Sequence, residues 1–448
     1  VDGACVEAPD GGFDNVGHGF FSAPNGATGH ACGYAHGTPG GGGLALDRLD
    51  RFQLPLGLSP EVGAAVASVD GDAQDTVRLG SPGEVAAAVP HFFGFHPDAS
   101  VVVLGLSRSQ RDCRAAINQG MRIDLGSVQR GPAAFGRWMA ARLVDTGANE
   151  ALCVVYPPRE GPTRISEYRR LVAGMCAPLR IAGVAPLDVL FVSEGRWWSF
   201  LCDRPQCCPP EGSPIDTRAS AIAVLTAYSG LAVLPNRAAL AAGLEPYASD
   251  MADRTRAACD AALNRLADAR ATADAETSMA IEGSVGATHD KTLDLRWEDV
   301  SRVWRLADSL CDVQVPLDRA LTDEIVGELL VALTDVRVRD HVATWCGDDR
   351  SGQAVALGVE LARRAVTAEQ AAAAYSVAAW ATWSLGWGAW SRLCIERAVA
   401  AVPGYALAGL IKQGLDRGIG PELVREAARG TARRLNEMYA EQLSSRAI

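Results

Sequence analysis

The sequence predicts an α/β domain followed by an all-helical domain. The first is a mainly parallel sheet with an antiparallel hairpin at one edge, over residues 76–245. Three observations predict this. Short apolar runs alternate with helical patterns over that stretch, as in a sheet covered on both faces. "SVVVLGL" (100–106) and "LDVLFV" (187–192) are continuous apolar runs of the kind found in strands buried on both sides. Beyond about residue 246 the strand patterns stop, and a helical period runs through "DMADRTRAACDAALNRLADAR".

Element by element, "VRLG" (77–80) reads as a short strand. "SPGEVAAAV" opens a helix with Ser81 as N-cap, Pro82 at the first helical position and Glu84 three residues after the cap. Glu84 therefore has a sufficient structural role. After "SVVVLGL" comes "MRIDL" (121–125), a second strand with alternation. "PAAFGRWMAARLVDTG" is a helix with a glycine stop, leading into the strand "ALCVVY" (151–156). "ISEYRRLVAGMCAPL" is a helix and "LDVLFV" a strand; "SEG" then turns the chain so that "RWWSFLC" returns antiparallel.

A helix and linker fill 246–295, and helices occupy 296–448. There Tyr375, Ala379, Gly386, Ile395, Ala398 and Pro403 fall near the spacing of one tetratricopeptide helix pair. A solenoid needs about three such units, so a single helical hairpin is expected. Residues 1–75 are Gly-rich without helix or strand period and are expected to be disordered. They contain His30, Cys32 and His36, a ligand set that a scaffold-free segment could not hold in place. Valine in first position leaves open a true start further on.

With 448 residues, 48% of them hydrophobic and 21% charged, the chain has ample material for two or three globular domains. A net charge of −11 argues against a nucleic-acid partner, which wants a basic stripe. Lys291 and Lys412 are the two lysines, an arginine-for-lysine skew that fits a GC-rich bacterial genome. Nothing resembling a secretory signal begins the sequence, and cysteines such as Cys153 and Cys394 sit within apolar surroundings. They read as small buried hydrophobes of a reducing compartment, and the cytoplasm is expected.

Residues 370–391 carry no charge, which raises the question of a membrane span. But Trp380, Trp383, Trp387 and Trp390 fall in steps of three, four and three, forming one stripe of a buried helix. Four indoles exceed what one hairpin easily buries. Part of the stripe is therefore expected to be contact surface, for a protein partner or for self-association.

The sequence has no GxxxxGK[ST], HExxH, GxSxG or strand-borne GxGxxG, so the motif-borne chemistries are not indicated. Candidate residues cluster in the α/β part. His91 and His96 flank "FFGF", and His96 precedes Pro97 on an extended entry into a strand. Arg122 and Asp124, two apart, share a strand face, where a local ion pair competes with a site.

"GRWWSFLCDRPQCCPPEG" (195–212) places Cys202, Cys207 and Cys208 within seven positions. Zinc sites favour CxxC pairs, and adjacent cysteines of an extended chain point to opposite sides. A metal site, a thiol chemistry site and a rigid structural corner all stand. Glu211 closes the loop as a further candidate.

The segments "LGSPGEVAAAVPHFFGFHPDASVVVLGL", "RWWSFLCDRPQCCPPEGSPID" and "VRVRDHVATW" together resemble an actinobacterial family known as a domain of unknown function, DUF4192, over about 76–420. Gly94-Phe95-His96-Pro97 and Cys207-Cys208-Pro209-Pro210-Glu211-Gly212 carry the resemblance. It implies a bacterial, cytoplasmic protein and brings no activity with it.

Two functions stand from the sequence. One is a ligand- or protein-binding regulatory module; the other is an enzyme using His96 with the cysteine loop, with or without zinc. If "SVVVLGL" and "LDVLFV" run parallel, His96 and Cys202 meet on one rim of the sheet.

Overall fold

The computed structural model describes residues 13–16, 79, 81–108, 115–160, 164–216, 223, 233–278, 295–311 and 317–446. The chain divides into two compact units. The first comprises Val1–Ala242, Leu385–Arg392 and Gln413–Pro421; the second comprises Gly243–Ser384, Leu393–Lys412 and Glu422–Ile448.

The first unit is built on a seven-stranded mixed sheet in the order β1-β3-β2-β4-β5-β6-β7. Its strands are β1 Phe13–Val16, β2 Ser100–Arg108, β3 Ala115–Asp124, β4 Glu150–Tyr156, β5 Ala185–Ser193, β6 Arg196–Ser199 and β7 Ser213–Pro214. An α/β part followed by a helical part is the architecture expected, with the hairpin at the expected place. Glu194 (φ +50°) and Gly195 (φ +71°) form its two-residue turn. Positive φ at both central positions matches the twist of the flanking strands.

The sheet is not mainly parallel, however. β2 pairs antiparallel with both β3 and β4, and β4 with β5 is the one parallel pair among the described strands. An apolar run reports that a strand is buried, not which way it runs, so "SVVVLGL" gave no sign of its direction. It runs opposite to "LDVLFV".

Helices α1 Pro82–Phe93, α2 Leu125–Arg130, α3 Pro132–Asp145 and α4 Arg169–Ile181 belong to the same unit. Ser81 caps α1 by accepting from Glu84 N at 3.2 Å, and Gly94 ends it at φ +76°. α3 and α4 cover one sheet face, with Phe135, Met139, Leu143, Met175 and Leu179 packed on Val101, Val103, Cys153, Val155 and Phe191. They approach closely at Gly136, where a Cβ would lie 2.6 Å from Met175 O. α1 lies toward the other face, where a Cβ on Gly83 would meet the Trp197 indole at 3.0 Å.

Of the segment expected to be disordered, Phe13–Val16 forms an edge strand on β3, pairing Phe13 with Ile123. The remainder of 1–75, with His30, Cys32 and His36, lies outside the described residues. So do most of "VRLG" and the linker around 281–291.

The described elements of the second unit are helices. Helix Ser351–Arg364 packs tightly on helix Ala368–Ser384, since a Cβ on Gly358 would lie 2.8 Å from Ala378 N. No helix among the described residues is long and apolar enough to cross a membrane. Of the tryptophan stripe, the half-buried Trp380 and the buried Trp383 lie in this unit, and the half-buried Trp387 and the buried Trp390 in the first. The stripe is thus core at Trp383 and Trp390 and partly open at Trp380 and Trp387.

Candidate metal centre

Strand directions decide which sequence candidates meet. Ser100 at the start of β2 pairs with Tyr156 at the end of β4, so His96 lies on the rim where β4 and β5 end. β6 runs back along β5, with Ser193 opposite Arg196 and Leu190 opposite Ser199. It delivers Cys202 toward the rim where β4 and β5 begin. His96 and Cys202 are therefore on opposite rims, and the shared rim expected from parallel strands is corrected. A site combining them goes with it.

His96 sits instead where α/β proteins usually receive ligands. Its N–H donates to Leu234 O at 3.0 Å, and Leu234 N–H donates to Gly94 O at 2.8 Å. Arg159 joins the same rim, donating to Pro235 O at 3.0 Å from Nη2 and to Asp98 Oδ1 at 3.0 Å from its backbone N–H. Partial burial and the Arg159 cation hold the His96 imidazole below its ordinary value; partial burial and His96 do the same to His91. Arg122 is buried and donates to Asp124 Oδ1 at 2.9 Å, which is the local ion pair.

The three cysteines of the loop do come together. The sulfurs of Cys202, Cys207 and Cys208 all lie within 4.8 Å of one another. Adjacent cysteines manage this because the chain turns sharply: Cys207 N–H and Cys208 N–H both donate to Arg204 O, at 3.0 and 2.7 Å. All three are half-buried and in no disulfide. Glu211 is exposed and lies outside the sulfur cluster.

The loop is braced from three directions. Ser199 Oγ accepts from the N–H groups of Leu201 and Cys202, at 3.0 Å each, and donates to the buried Asp188 at 2.6 Å. Trp198 Nε1 donates to Pro210 O at 3.0 Å, and Arg196 Nη1 to Gly212 O at 2.8 Å. Gly212, at φ +77°, lies so close to Trp198 that a Cβ would stand 2.4 Å from the ring. These bonds fix the backbone around the gathered sulfurs.

Burial, then the Cys202 and Cys207 sulfurs beside it, push the Cys208 thiol up to about 12. Three thiolates cannot share this space without a cation, and a bound metal inverts that preference. The Cys208 thiol alone is a poor source of nucleophilic thiolate. Elsewhere burial raises Cys346 and Cys394 to about 12 and Cys176 to about 11.

Asp188, Ser199 and Trp198 were not anticipated as parts of the site. One signal was available: Asp188 is the single carboxylate in an otherwise apolar strand, a placement that asks for a partner.

Fold and site together define a mixed α/β unit carrying a braced thiol cluster, continued by a helical unit. A family model described as Domain of unknown function (DUF4192) matches residues 82–422, and the chain belongs to that family. No curated protein and no solved structure matches the chain.

Proposed function

We propose that the protein is a binding or regulatory module of the reducing cytoplasm whose α/β unit holds one thiophilic metal ion between Cys202, Cys207 and Cys208. The carrying observation is the convergence of three sulfurs within 4.8 Å. Soft thiolate donors suit zinc and other thiophilic metals. The bonds from Asp188 through Ser199 to the Cys202 backbone supply the outer support that metal ligands need. A bound ion would tie the end of β6 to the loop before β7, fixing one edge of the sheet. The enzymatic alternative required His96 beside the cysteines, and the strand directions remove that support.

The test is zinc titration of the reduced full-length protein against a chromophoric chelator, with alkylation of the thiols read by mass spectrometry. One ion per chain is expected, protecting Cys202, Cys207 and Cys208 from alkylation. Absence of binding by zinc and by other thiophilic ions alike, or binding that survives Cys202→Ser combined with Cys207→Ser and Cys208→Ser, overturns the reading.

A further inference from the structure

We propose that the cluster is a three-coordinate site for a trivalent metalloid of the arsenite class. This rests on the metal-binding reading above and names its ligand. The cluster consists of three sulfurs; among the described residues no fourth His, Cys, Asp or Glu donor atom belongs to it. Zinc in structural sites takes four donors in a tetrahedron, so these three satisfy it incompletely. Trivalent arsenic makes three bonds in a pyramid, and its lone pair occupies the fourth direction. Three sulfurs on one side of an ion are what that geometry asks for.

Charge points the same way. Three thiolates around a divalent ion leave a net negative charge on a half-buried loop, and burying an unpaired charge is costly. Three thiolates on trivalent arsenic give a neutral product. The exchange balances without a redox step. Three As–O bonds of arsenous acid break and three As–S bonds form, and each thiol proton leaves with a hydroxide as water. Arsenic stays trivalent, and no net proton is released.

The bracing explains why the third sulfur is engaged. A flexible pair of thiols would bind arsenite through two bonds and gain the third only by ordering more chain. Here the Arg204 turn holds Cys207 and Cys208 in place, and Ser199 holds the backbone of Cys202.

The experiment titrates reduced full-length protein with sodium arsenite, following the As–S charge-transfer absorption and the free thiols by mass spectrometry. Expected is one arsenic per chain, loss of all three free thiols, and at least tenfold weaker binding in each of Cys202→Ser, Cys207→Ser and Cys208→Ser. Circular dichroism of the variants checks that they fold. If one of those variants, folded, binds arsenite as well as the native chain, only two sulfurs are engaged and the inference falls. Zinc binding without arsenite binding overturns the metalloid assignment and leaves the metal site standing. Binding of neither ion overturns both.

Discussion

Ser199 and Asp188 form a 2.6 Å hydrogen bond between neighbouring strands, and the same serine oxygen receives the N–H groups of Leu201 and Cys202. A carboxylate that is 1% exposed thus governs where the chain leaves β6 for the cysteine loop. Burial raises its value from 3.8 to about 6, against the lowering effects of Ser199 and the Val189 N–H. Keeping an acid there costs stability, which is consistent with a role in positioning the loop.

That cost can be measured. A folded-state value above the unfolded one means that the native protein binds this proton more tightly. The contribution is full below 3.8 and is lost as pH rises to about 6. The loss at neutral pH is about 3 kcal/mol. Asp188→Asn keeps an acceptor for Ser199 and Val189 without the charge. Urea denaturation should find it more stable than the native chain at pH 7, and the native loss between pH 4 and 6 should shrink. An unchanged pH slope would count against a desolvated carboxylate.

Ala99, between the His96 turn and β2, adopts φ +41°. Its N–H donates to Pro157 O at 3.4 Å and its carbonyl accepts from Leu125 N–H at 2.8 Å, so the surroundings hold it there. The left-handed region costs a residue with a Cβ about 1 kcal/mol. Ala99→Gly should therefore stabilise the protein by up to about that amount, less the entropy that glycine adds to the unfolded chain. A clear loss of stability in thermal denaturation would show that the alanine methyl group packs usefully.

Strand and helix positions in the first unit were legible because burial writes itself into apolar runs and caps. Ser81, Pro82 and Glu84 marked the start of α1, and "SEG" marked the hairpin turn. Direction was not legible. β2 returns to β3 as a hairpin rather than crossing over to a parallel neighbour, and no residue of "SVVVLGL" distinguishes the two. The cysteines were visible as a cluster, but their convergence depends on backbone bonds to Arg204 O, which residue types do not encode. Residues 385–392 and 413–421 belong to the first unit although they lie far along the chain, a tertiary matter that a linear reading cannot reach.

The helical unit has its own polar hub, centred on a half-exposed carboxylate. Asp308 accepts from His341 Nε2 with both oxygens at 3.1 Å, and Oδ1 also receives Trp345 Nε1 and Arg350 Nη1 at 3.0 Å each. The His341 ring stacks on Trp304, with centroids 4.6 Å apart. Burial pushes the Asp308 carboxyl up, but the bonds from His341, Arg350 and Trp345 outweigh it and hold the value below the ordinary one. With a lowered folded value, its contribution is present above the unfolded value and is lost as pH falls through the folded one. Asp308→Ala strips the acceptor from the fully buried Trp345 and should cost about 2–3 kcal/mol. Asp308→Asn should cost less and weaken the acid dependence. Equal stability of Asp308→Ala and the native chain in chemical denaturation would remove the hub's role.

Gly212 ties the cysteine corner to the sheet, and its substitution separates the fold from the site. Two constraints act on it at once. Its φ of +77° is one that glycine adopts freely, and an added Cβ would stand 2.4 Å from the Trp198 ring, which packs with Phe191 at 5.7 Å. Trp198 cannot simply move aside, because its Nε1 holds Pro210 O and its ring lies against the core under α4. Gly212→Ala should therefore destabilise the protein by about 2–4 kcal/mol, combining backbone strain with overpacking. The strain falls on the loop that carries Cys207 and Cys208, so ion binding should weaken at least tenfold even where the variant is folded. Gly212→Ala with Trp198→Phe, whose smaller ring gives room but lacks the indole N–H, should recover part of the stability and little of the binding. If the single variant binds zinc and arsenite like the native chain while losing stability, the corner's geometry does not depend on Gly212, and preorganisation must come from the Arg204 turn and Ser199 alone.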